Sequence, residues 1–183
     1  MVFYAHALAL VLLVACLCWC ISTDLLARRI PNLAIVLLLA AWGVLSAIDI
    51  LHAGSIDRPI LYQTLKALPG AGAVLVIGFL LFLTGRLGAG DVKLMSVLCL
   101  WVGSKQQITF VMITALAGGV LALGLPLLNA IPVAVGLGIE RINQVLKCRL
   151  PLPPPLPTEL SQGIPYGIAI AFGAMYVLIF PLF

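Results

Sequence analysis

The chain has 183 residues, 63% of them apolar and only 9% charged, with a formal net charge of +4 and a mean hydropathy of +1.24. A soluble domain carries about 25% charged residues, so a soluble globular protein is excluded. The few basic residues stand in separate loops, which gives no case for a nucleic-acid partner and reads instead as a topology signal. The composition predicts one all-α integral membrane domain over residues 1–183, a polytopic bundle of about six transmembrane helices with the lipid bilayer as its solvent.

Taken in chain order, the first apolar segment is 2–21, close to the ~20 residues that cross a ~30 Å hydrocarbon layer. No Lys or Arg precedes it, so it reads as an uncleaved helix and not as a secretory signal, despite a lipoprotein-like box at Leu13-Val14-Ala15-Cys16. The second segment is 31–50. A polar stretch follows, with a turn signal at Asp57-Arg58-Pro59. The third segment, 67–83, carries Pro69 in its first turn, where proline is tolerated. The fourth, 92–102, is short. The fifth, 107–128, is bounded by Pro126 and Pro132, and the last is 164–183. Residues 151–157, five prolines and two leucines, predict a polyproline II spacer of roughly 20 Å within a loop at about 140–163. Ala115, Gly118, Gly119 and Ala122 place small side chains one turn apart, as do Ala169 and Gly173, so these are expected packing positions.

Six spans put the loops at 24–29, 86–93 and 140–163 on one side of the membrane. That side holds seven Lys and Arg residues against three on the other, so it is expected to be cytoplasmic, with the N-terminus outside. Asp24 and Asp91 then fall on the same face, although 67 residues separate them. Asp49 and Asp57 fall on the other face. His6 has no evident partner. The five cysteines form no C-x-x-C pair, and Cys16, Cys18 and Cys20 fan around a helix, a spacing unsuited to tetrahedral zinc. No metal and no cofactor is expected.

The run Gly88-Ala89-Gly90-Asp91-Val92-Lys93 sets a carboxylate and a lysine on a glycine turn between apolar segments, and an ionisable group at membrane depth is costly. Read singly, Asp91 is a helix N-cap, Asp24 an interfacial charge balanced by Arg28 and Arg29, and Lys93 a residue snorkelling to the interface. Read together, two adjacent carboxylates share one proton, because both cannot ionise cheaply. The ionised member takes a proton from water and the protonated member polarises a carbonyl or protonates a leaving nitrogen. Asp91, at a helix entrance, is expected to be the ionised member, and Asp24, just past a helix C-terminus, the protonated one; Arg28 and Arg29 could reverse that order.

Asp24 with Arg28-Arg29-Ile30-Pro31-Asn32, then Gly88-Ala89-Gly90-Asp91-Val92-Lys93-Leu94, then Gly163-Ile164-Pro165-Tyr166-Gly167-Ile168-Ala169 resembles the type IV prepilin leader peptidases. The resemblance implies a polytopic aspartic endopeptidase of the bacterial inner membrane. Such an enzyme removes the short leader from prepilins and pseudopilins at the cytoplasmic face, with Asp24 and Asp91 catalytic. Gly88, Gly90, Lys93, Arg28, Arg29, Pro165 and Tyr166 would shape the site. The chain looks like the short Tad/Flp pilus form: it lacks the C-x-x-C pairs of the bifunctional form, so N-methylation is not expected. The implied partners are prepilin substrates and the pilus assembly machinery. Two other classes are a catalytically silent assembly scaffold of the same fold and a small proton-coupled transporter. The second of these usually has broken-helix symmetry between its halves, and no repeat is apparent here.

Overall fold

A computed structural model of the chain describes residues 2–27, 29–52, 58–85, 87–124, 141 and 166–179, and no strand occurs among them. The helices are α1 (Val2–Ala27), α2 (Asn32–His52), α3 (Arg58–Leu83), α4 (Ala89–Val102), α5 (Gln107–Gly124) and α6 (Tyr166–Ile179). The chain forms two compact units, Met1–Ala117 with Pro165–Phe183, and Gly118–Ile164. Of the second unit only 118–124 and 141 are described. The proline-rich loop at 140–163, apart from Arg141, lies outside the described residues, as do Arg28, Asp57, Pro126, Pro132, Cys148 and Pro165.

Each of the six expected segments contains a helix, and four are long and apolar enough to cross a bilayer: Tyr4–Ala27, Asn32–His52, Thr64–Leu83 and Gln107–Gly124. Their outward faces are aliphatic, with Leu26 88% and Leu123 79% exposed. In water such faces would be untenable, and in lipid they are solvated. The protein is therefore a multi-pass, all-α membrane protein.

Two helices run further than their apolar segments. α1 continues through Ser22 and Thr23 to Ala27, so Asp24 lies inside the helix and not beyond its end. The hydroxyls explain this. Ser22 Oγ donates to the Cys18 carbonyl at 2.8 Å, and Thr23 Oγ1 to those of Trp19 at 3.0 Å and Cys20 at 3.1 Å. Satisfied one turn back, these side chains do not compete with the helix from outside it. α3 begins at Arg58, nine residues before its apolar run, because Pro59 fits a first turn whose N–H groups have no partner anyway. Lys66 Nζ then sits 4.2 Å above the Tyr62 ring, one turn away. Pro69 is consequently inside the helix and not in its first turn.

Lipid tails are as apolar as leucine, so the helices associate by close packing and hydrogen bonds and not by hydrophobic transfer. α4 packs on α2, α3 and α6, and α1 packs on α2 and α6. At 14 residues α4 is only about 21 Å long, and its neighbours bury it: Val92, Leu94 and every residue from Ser96 to Leu100 are inside. Gly78 of α3 permits that approach, since a Cβ there would lie 2.7 Å from Val92 Cγ1. Trp101 Nε1 donates to the Leu38 carbonyl of α2 at 3.1 Å. Gln107 Nε2 donates to the carbonyls of Ala67 at 2.8 Å and Cys99 at 3.0 Å, so one buried amide links α3, α4 and α5.

The small-residue expectation divides. Ala169 is fully buried, and a Cβ on Gly173 would run into Thr114, 3.3 Å from its Cα, so α5 and α6 touch there. Gly119 has open space around it. His6 finds a partner that the sequence does not suggest: its Nε2 lies 3.3 Å from Asp49 Oδ2 across the α1–α2 hairpin. That pair stands 18 residues, roughly 27 Å, along α1 from Asp24.

Candidate active site

Asp24 and Asp91 come from helices that meet through shared neighbours. α1 and α4 both contact α2 and α6, which brings the last turn of α1 beside the first turn of α4. There the two carboxylates line one cleft of about 340 Å³ with Arg29, Ile30, Asn32, Gly88, Ala89, Gly90 and Lys93. No group of three or more His, Cys, Asp or Glu residues with metal-binding geometry occurs among the described residues.

Asp24 is 6% exposed. Its Oδ2 accepts the backbone N–H of Gly167, in the first turn of α6, at 2.8 Å, a buried bond between residues 143 positions apart. The fit there is close. A Cβ on Gly167 would stand 2.7 Å from Asp24 Oδ2 and 3.1 Å from both Asp24 Cβ and Cγ, inside any tolerable contact. Glycine is thus required by space.

Asp91 stands outside the four membrane spans, in the first turn of α4, and its Oδ1 is buried without a hydrogen-bond partner. Burial pushes its carboxyl up to about 6, the charge of Asp24 adds to that rise, and backbone hydrogen bonding at Gly88 opposes it. The helix start that was expected to keep Asp91 ionised is outweighed by desolvation. The charge of Asp24 reaches Asp91 because the two carboxylates line one cleft.

The glycines act differently from the flexible turn that their sequence suggests. Gly88 has φ −75° and ψ 144°, an extended conformation open to any residue. What it supplies is room, because a Cβ would lie 2.7 Å from Asp91 Oδ2. Likewise a Cβ on Gly90 would meet Ile30 Cβ at 3.0 Å. Among the described residues the left-handed glycines are elsewhere, at the ends of α3 (Gly85, φ 72°) and α4 (Gly103, φ 78°).

Of the other expected residues, Arg29 and Lys93 line the cleft, and Lys93 Nζ reaches Asn32 Oδ1 at 3.5 Å, the outer limit of a hydrogen bond. Tyr166 opens α6 next to Gly167 but is not among the residues lining the cleft. Ile30, Asn32 and Gly167 were not singled out as site residues from the sequence. All three lie in the quoted motifs, and the signal that could have found Gly167 is a residue of poor helix propensity opening a helix.

The chain matches none of the curated proteins and none of the solved structures. Residues 11–123 match the type IV leader peptidase family, a stretch that holds both aspartates and the whole glycine turn and leaves α6 outside. With well over half of its length matched, the chain belongs to the type IV leader peptidase family, and is a membrane-embedded protease that acts on protein substrates.

Proposed function

We propose that the protein is an aspartic endopeptidase of the bacterial inner membrane that cuts the short leader from type IV prepilins and pseudopilins of the Flp kind, at the cytoplasmic face. The supporting observation is the shared cleft: two carboxylates from separate helices, one of them raised partly by the charge of the other. Such a pair titrates as a unit, and with Asp91 raised to about 6 it still holds one proton on the acid side of neutrality, where the unfolded chain has lost it.

The chemistry follows from that proton. A substrate peptide bond enters the cleft with one water. The ionised carboxylate removes a proton from the water as its oxygen bonds to the carbonyl carbon, while the protonated carboxyl donates to the carbonyl oxygen. Collapse of the tetrahedral intermediate breaks the C–N bond. The first carboxyl then gives its proton to the departing nitrogen and the second recovers its own from the hydroxyl. The net change is one water consumed and one amine and one carboxyl released, with the enzyme restored. Gly88 and Gly90 leave space for a substrate backbone, and Arg29 and Lys93 offset charge at the rim. A basic leader held at the membrane surface, followed by an apolar helix in lipid, would present its junction at the level of Asp24 and Asp91. The assembly machinery of the pilus would take up the product.

Co-expression with an Flp-type prepilin tests this by the size of the pilin on a gel. The wild type should shorten it, whereas Asp24→Asn and Asp91→Asn should each leave it uncut while accumulating normally in the membrane. Cleavage by either variant would remove that aspartate from the mechanism. A wild type inactive on several prepilins would favour an assembly scaffold of the same fold.

A further inference from the structure

Resting on the two-aspartate reading, we propose that Gly167 is a positioning residue: its backbone N–H fixes Asp24 as the water-activating carboxylate and leaves the shared proton to Asp91. Three observations converge. The Gly167 N–H donates to Asp24 Oδ2 at 2.8 Å within a buried environment, and a donor held on a carboxylate oxygen favours the ionised form of that group. The first turn of a helix also favours an anion placed against it. On the other carboxylate, Asp91 Oδ1 is buried and has no acceptor or donor facing it, the state of an oxygen able to hold a proton and present it to a substrate carbonyl. Burial and the Asp24 charge both favour the protonated form of Asp91.

The bare Cα of Gly167 is what makes this geometry possible. Any side chain would place an atom 2.7 Å from the accepting oxygen and drive the carboxylate off the N–H. A two-carboxylate site needs its members made unequal, and here a third helix supplies the inequality. Among the described residues, the titratable and charged groups around Asp24 include Asp91 and Lys93 from α4, Arg29 from the α1–α2 link and Cys20 one turn back in α1. α6 itself carries Tyr166 beside Gly167. Since all of these are common to the wild type, Gly167→Ala and the ester form, a displaced pH profile among the three reports on the 167 amide.

The experiment follows prepilin cleavage by purified full-length enzyme in detergent as a function of pH. Gly167→Ala should lower kcat/KM roughly 10–100-fold. It should also move the acid limb of the profile to higher pH by about half a unit or more, because the ionised member of the pair loses a donor. Replacing Gly167 by glycolic acid exchanges the N–H for an ester oxygen without adding a side chain, and should move the acid limb in the same direction. Gly43→Ala, at a glycine with open space around it, is the helix-glycine control and should match the wild type. An unshifted acid limb in the ester form overturns the proposal, as does a Gly167→Ala enzyme that is slower with an unmoved profile, which marks a packing role only. If Gly167→Ala fails to accumulate, the ester form decides. Asp24→Asn and Asp91→Asn run alongside: if they cleave, the two-aspartate reading has failed, and if they do not, a negative result at Gly167 belongs to the positioning proposal alone.

Discussion

Asp91→Asn should abolish cleavage and at the same time make the protein more stable at neutral and alkaline pH. The carboxyl of Asp91 is raised from an ordinary 3.8 to about 6 by burial and by Asp24. In the window between those values the folded protein holds a proton that the unfolded chain has released, so stability falls as pH rises through it and stays lower above about 6. The stabilising contribution of the proton is fully present only below 3.8. A little over two pH units at about 1.4 kcal/mol each gives on the order of 3 kcal/mol. Asp91 is only partly buried beside an open cleft, and solvent screening reduces this to about 1–2 kcal/mol. Asparagine keeps the shape and has no proton to lose, so it escapes the loss. For a chain of this size the gain corresponds to roughly 2–8 °C in Tm. Thermal unfolding in detergent micelles at pH 8 and at pH 3.5 measures it directly. Asp91→Asn should melt above the wild type at pH 8 and together with it at pH 3.5. A variant that melts at or below the wild type at pH 8, or whose advantage is the same at both pH values, would refute the reasoning.

Two further outcomes test the frame that holds the site. Gln107→Leu removes the donor to the Ala67 and Cys99 carbonyls; Cys99 keeps its bond from the Gly103 N–H, so the cost should be about 1–3 kcal/mol, read as a lower Tm in the same assay with cleavage retained at low temperature. Gly90→Ala should slow cleavage by pressing on Ile30, 3.0 Å from the new Cβ, and Ile30→Ala should restore part of the rate in the double variant; full additivity of the two substitutions would show that the contact is not shared.

How much of this was legible differs from element to element. The apolar segments are visible because a bilayer demands long runs of one chemistry, and all six contain helices. The meeting of Asp24 and Asp91 is visible only through topology, as the number of spans between them puts both on one face, and the count of Lys and Arg bears only on which face that is. Helix ends were less legible. Ser22 and Thr23 look like a stop after an apolar run, yet each bonds back into α1, and the choice depends on whether a competing partner lies outside the helix. Gly88 looks like a source of backbone freedom, but its need is for room beside Asp91, a tertiary fact. Gln107 reads as the polar edge of a segment, and nothing local reveals that two carbonyls from other helices converge on it. Gly167 was the least legible of all, because the donor itself is one that every residue except proline carries, and the only local mark is a poor helix former at a helix start. The crowding of Asp24 against its Cα is what gives that mark a reason.

The bond from Gly167 to Asp24 spans 143 positions of chain, which ties the site to the order of synthesis. Both acids exist once the ribosome has made α4, while the amide that separates their roles arrives only with α6. A nascent chain halted between these points would hold two carboxyls near the membrane surface with neither committed to the attack on water. Hydrolytic competence would then be acquired late, after the last described helix has inserted and docked. A partly made protease would be harmless to the membrane proteins being assembled around it.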